Sequence, residues 1–87
     1  MENLEKVLGQ TILFLGSSED SLWSSLPVEE IIKQLKDELD KVKNSRKVDK
    51  KRLGYLFAPT GCIQEISIEN GWGNEFLELS NAMNQFV

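Results

Sequence analysis

The stretch Leu53–Gly73, LGYLFAPTGCIQEISIENGWG, decides the fold. Leu53, Tyr55 and Phe57 alternate as a strand would, with Pro59-Thr60-Gly61 as a turn and Cys62 to Ile68 as the return strand, which would give an α+β protein with a hairpin at 53–58 and 62–68. Against this, Val48, Arg52, Leu53, Leu56 and Phe57 also fall on one helical face. Ile63 directly follows Cys62, and Gln64 and Glu65 break the second alternation. The helical reading is preferred. It ends a helix at Pro59 and leaves an irregular, turn-rich segment at 59–73 whose Ile63, Ile66 and Ile68 fill the core.

On the N-terminal side, Asn44 to Arg52, NSRKVDKKR, lacks an apolar stripe and reads as an exposed connection that enters a helix near Asp49. Before it, Val28, Ile32, Leu35, Leu39 and Val42 recur at helical spacing. Ile31 widens the stripe, Pro27 suits a first helical position, and Glu29 and Glu30 favour the positive end of the helix dipole. One such stripe packs on its own core or, as an alternative, on a second copy in a homodimer. At the N-terminus Leu4, Val7, Leu8, Thr11, Ile12 and Leu15 share a face. Gly16 is placed to end that helix, and Ser17 with Asp20 to cap a short segment containing Leu22 and Trp23. On the C-terminal side Asn74 is a candidate N-cap for a last helix striped by Phe76, Leu79, Met83 and Phe86. The expected architecture is therefore a mainly α, single small domain over 1–87, with helices near 2–15, 27–43, 48–57 and 74–86.

Charge is segregated. Residues 1–40 carry three basic and nine acidic side chains, residues 41–52 seven and one, and residues 53–87 none and four. Phosphate recognition needs cations, so the C-terminal part does not suit nucleic acid, and a protein with a basic surface is the better match. The basic block has no interleaved aromatics and reads as solvated. The first sixteen residues lack a basic leader region, and the run Thr11–Leu15 is too short for a membrane helix, which needs ~20 residues. Together with a lone cysteine, this makes the cytoplasm the expected compartment, with no membrane partner.

Histidine is absent, so zinc sites of the usual kind, histidine-based triads and Cys–His nucleophile pairs are excluded. Gly61, Gly71 and Gly73 match no phosphate-loop spacing. Paired glutamates could hold a divalent ion or act as acid and base, but nothing accompanies them, and no cofactor is expected. Cys62 beside Ile63 reads as a buried, inert thiol. What remains is recognition by residues set between turns: Thr60, Gln64, Glu65, Glu69, Asn70 and Trp72, together with Glu75. Each has a structural alternative: Trp72 as core, Asn70 in a left-handed turn, Thr60 as a cap.

The string Leu56–Trp72, LFAPTGCIQEISIENGW, followed by GNEFLELSNA, resembles a pattern found in small uncharacterised bacterial proteins. In these an apolar helix runs into a glycine-containing turn, a short polar–apolar segment and a closing helix. Some accompany polymorphic toxins and are suspected immunity proteins. The resemblance implies a non-enzymatic protein that binds another protein, and it carries over no functional residue.

Overall fold

The protein's structure, a computed structural model, describes residues 3–59 and 61–87 and places five helices in order: α1 (Leu4–Gly16), α2 (Val28–Lys43), α3 (Lys50–Leu56), α4 (Cys62–Glu69) and α5 (Gly73–Met83). With 65% of the described residues helical and no strand among them, the mainly α reading holds and the hairpin at 53–58 and 62–68 does not form.

Each helix start has a local cause. The Asn3 side chain accepts a hydrogen bond from the Lys6 amide at 2.8 Å, which caps α1. Asp49 caps α3 in the same way, accepting from the Arg52 amide at 3.0 Å. Pro27 has no N–H to donate and stands just before α2. The cap of α2 comes from farther back: the Asp20 carboxylate accepts from the Val28 amide at 2.7 Å. Asp20 thus caps α2 and not the short segment containing Leu22 and Trp23, where it was expected to act with Ser17. Residues 17–27 are a loop with turns at Ser17 and at Leu22 and Trp23, Ser17 is the C-cap of α1 while Gly16 lies inside the helix, and Leu22 and Trp23 are 96% and 77% exposed.

The second correction is α4. The segment expected to be irregular is an eight-residue helix, because Cys62, Ile63 and Ile66 share one helical face and all three are buried. Ile68 then falls on the opposite side and is 58% exposed, so it does not fill the core as expected. Gly61 makes the tight entry possible: a Cβ there would stand 2.9 Å from the Ala58 carbonyl oxygen. Gly71, at φ +81°, carries the left-handed turn between α4 and α5, while Asn70 keeps φ −105°. Helix α5 begins at Gly73, one residue before the expected cap at Asn74, and ends at Met83 in a turn that includes Phe86.

The core is a single cluster. Val7, Leu8 and Leu15 of α1 meet Ile31 and Leu35 of α2, Leu53 and Leu56 of α3, Ile63 and Ile66 of α4, and Phe76 and Met83 of α5. Helix α1 packs mainly on α2 and also on α5, and α5 packs on α4. Phe57 and Phe76 lie near-parallel, with ring centroids 6.4 Å apart. Val28, Ile31 and Leu35 of the α2 stripe are buried in this core, while Ile32, Leu39 and Val42 pack against it partly exposed. The helix pair α1–α5, brought together in this way, is what positions the candidate site.

Candidate functional site

The residues expected to form a recognition segment are dispersed by the fold. Thr60 lies outside the described residues. Trp72 is only 5% exposed. Its ring stacks on Phe14 at a centroid distance of 4.9 Å and an interplanar angle of 13°. Its indole N–H donates to the Ser18 hydroxyl oxygen at 2.8 Å, and that hydroxyl donates in turn to the Phe14 carbonyl at 2.8 Å. Asn70 is also taken up by the fold. Its Oδ1 accepts from the Glu19 amide, and its Nδ2 donates to the Glu19 and Ile66 carbonyls, each at 2.9 Å. Residues 70–72 thus staple the loop that follows α1: Trp72 takes the core position that was its structural alternative, and Asn70 holds the loop without adopting a left-handed turn. Gln64 and Glu65 are half-buried and Glu69 exposed on α4. Among the described residues of this set, Glu75 lines a concave surface.

That surface is a groove of about 600 Å³ between α1 and α5. Gln10, Leu13, Phe14 and Ser17 form one wall, and Glu75, Glu78, Leu79 and Ala82 the other. On both helices these positions follow i, i+3, i+4, i+7, so each presents one continuous stripe. Leu13 is 77% exposed, whereas Leu79 and Ala82 are buried in the floor. Glu75 Oε2 is shielded from solvent and accepts no hydrogen bond from the described residues. The sequence reading missed this place because Leu13 and Phe14 lie outside the α1 stripe that fills the core. Their surplus apolar character was the available signal.

The other concentrated set of charges joins α2 to α3. Glu38 has no exposed surface. It accepts from the Asp49 amide at 2.9 Å, from Arg52 Nε at 2.9 Å and Nη2, and from Lys41 Nζ at 3.1 Å. Arg52 Nη2 also donates to Asp37 at 2.6 Å. Burial pushes the Glu38 carboxyl up, but these hydrogen bonds outweigh it and hold the pKa below its ordinary 4.5. The Arg52 hydrogen bond holds Asp37 below 3.8. The exposed pair Arg46–Asp40, at 3.1 Å, extends the set. Lys41, Arg46 and Arg52 of the basic block are thereby engaged with carboxylates of α2.

Cys62 is buried, and burial pushes its thiol up from 9.0, so it stays protonated at neutral pH. Among the described residues no group of three or more His, Cys, Asp or Glu side chains could hold a metal ion. No described helix is long and apolar enough to cross a membrane. Comparison with known proteins found no matching family model, no matching curated protein and no matching solved structure.

Proposed function

We propose that this chain is a non-enzymatic cytoplasmic module of the immunity-protein kind, which binds another protein by covering a basic part of its surface. The observation that carries this reading is the charge of α4 and α5. Glu65, Glu69, Glu75 and Glu78 stand on these two packed helices, and residues 53–87 contain no Lys or Arg to neutralise them. A surface of one sign speeds encounter with a partner of the other and disfavours like-charged competitors. Such a role needs no catalytic group. The pairing of Lys41, Arg46 and Arg52 with α2 carboxylates leaves the basic block less suited to a polyanion. The resemblance of residues 56–72 to suspected immunity proteins points the same way. A homodimer through the Val28–Val42 stripe has less to build on, since Val28, Ile31 and Leu35 are buried in the chain's own core and only Ile32, Leu39 and Val42 stay partly exposed.

The test is charge reversal. Capture from native lysate with the wild-type chain should retain a basic partner, and Glu65→Lys/Glu69→Lys/Glu75→Lys together should weaken that association tenfold or more, equivalent to about 1.4 kcal/mol. The difference should narrow at ~1 M salt, where charges are screened beyond ~3 Å. Equal capture by the two chains at low salt would sink the reading.

A further inference from the structure

We propose that the α1–α5 groove receives an amphipathic, cationic helix of the partner protein, whose apolar stripe lies on Leu13, Phe14 and Leu79 while its Lys or Arg side chains reach Glu75 and Glu78. This deepens, and rests on, the reading of the chain as a binder of basic protein surface.

Shape carries the first part. Two neighbouring helices that each present an i, i+3, i+4, i+7 stripe leave a channel into which the ridge of a third helix fits, and an amphipathic helix anchors in such a groove by the same spacing. Gln10 to Ser17 and Glu75 to Ala82 each span eight residues, and their seven steps of ~1.5 Å make about 10 Å, so two turns of the incoming helix are engaged. A volume of about 600 Å³ accommodates several side chains rather than one. The wall is also held in advance. Phe14 is backed by the Trp72 ring, and its carbonyl accepts from Ser18, so little ordering remains for binding to bring about. Leu13, left 77% exposed at the mouth, is the surface such a helix would cover.

Charge carries the second part. Glu75 and Glu78 line the same wall, one helical turn apart, and residues 53–87 supply no Lys or Arg to neutralise them. Two carboxylates lining a groove gain from the cationic N–H donors of a segment laid over them and lose if they are covered by an apolar or acidic one. The occupant must therefore be cationic on the side facing α5. This chain's own basic block is a poor occupant for the groove of a second copy: its adjoining apolar residues Leu53 and Leu56 are fully buried, and Lys41, Arg46 and Arg52 already hold carboxylates.

The test uses the full chain, ¹⁵N-labelled, titrated with a designed two-turn Leu/Lys amphipathic peptide and with its Leu/Glu counterpart. Amide shifts confined to residues 10–17 and 75–82 are expected with the lysine peptide and not with the glutamate one. Leu13→Asp at an exposed position, and separately Glu75→Gln/Glu78→Gln, should each weaken the response tenfold or more while the helical circular dichroism is unchanged. Any of four results would overturn the proposal: no shift up to millimolar lysine peptide, equal response to both peptides, shifts centred on Glu65 and Glu69, or the same amides moving with protein concentration alone, which would make a second copy the occupant. Salt-dependent capture of a basic partner that survives any of these results would leave the broader binding role standing and remove only the groove. Loss of both would remove the two together.

Discussion

Trp72→Ala should lower the stability of the chain by about 4 kcal/mol, as large-to-small changes at fully packed aromatic sites do. A domain of this size has a total stability of only about 4–13 kcal/mol, so the variant should stand close to unfolding. The reasons are additive on the structure. The ring is 5% exposed, so its deletion forfeits nearly all of its burial and leaves a cavity among its neighbours. Its stack on Phe14 is lost, and the Ser18 hydroxyl loses the indole donor. Trp72→Phe keeps most of the ring but not the N–H, and should cost about 1 kcal/mol. Urea unfolding followed by far-ultraviolet circular dichroism measures both, because Trp23, at 77% exposure, makes tryptophan emission a mixed signal. A loss below 1 kcal/mol for Trp72→Ala would mean that the ring does not hold α1 to the α4–α5 turn.

Arg52→Ala should cost about 3 kcal/mol, more than surface ion pairs do, because Glu38 stays behind with no exposed surface. Only the Asp49 amide and Lys41 would then remain as its donors. Arg52→Lys should recover part of the loss, since a single ammonium cannot reproduce the guanidinium that reaches Asp37 and Glu38 together. The pH dependence has a definite sign. Both carboxyls are held below their ordinary values of 3.8 and 4.5 in the folded chain, so their contribution is present above pH 4.5 and is lost as pH falls through the lowered values. In Arg52→Ala burial is no longer offset to the same degree. The gap between the two chains should then be widest near pH 7 and should close as the pH is lowered toward 3. Urea midpoints measured across that range check it, and a gap independent of pH would contradict an ionic clamp.

Some of this was legible in the sequence for plain reasons. The α2 and α5 stripes are long enough for a period of 3.6 residues to stand out, and Pro27 marks one boundary. Helix α4 was not, because eight residues containing three isoleucines carry both periods at once; burial of Cys62, Ile63 and Ile66 decides the matter, and only the folded chain supplies it. Glu38 was hidden in the same way. It sits three residues after Leu35 on the buried face of α2, yet in sequence it is one of several charges on a charged helix. Its partner Arg52 lies fourteen residues away, across the turn into α3. The recognition residues divide along a similar line. Glu75 was found by its charge, whereas the groove that gives it a role joins Leu13 and Phe14 to residues more than sixty positions away. Asn70 and Trp72 stood out as turn-flanking polar and aromatic groups. Their hydrogen bonds to the loop after α1 account for that without a partner.

We propose that the α1–α5 side with Glu75 and Glu78, and not the basic block, meets the partner. Amide hydrogen exchange of the chain in complex with the partner captured from lysate tests it most directly. The predicted result is added protection over residues 10–17 and 75–82, reduced by Glu75→Gln/Glu78→Gln. Added protection confined to residues 43–52, with 10–17 and 75–82 exchanging as in the free chain, would contradict it.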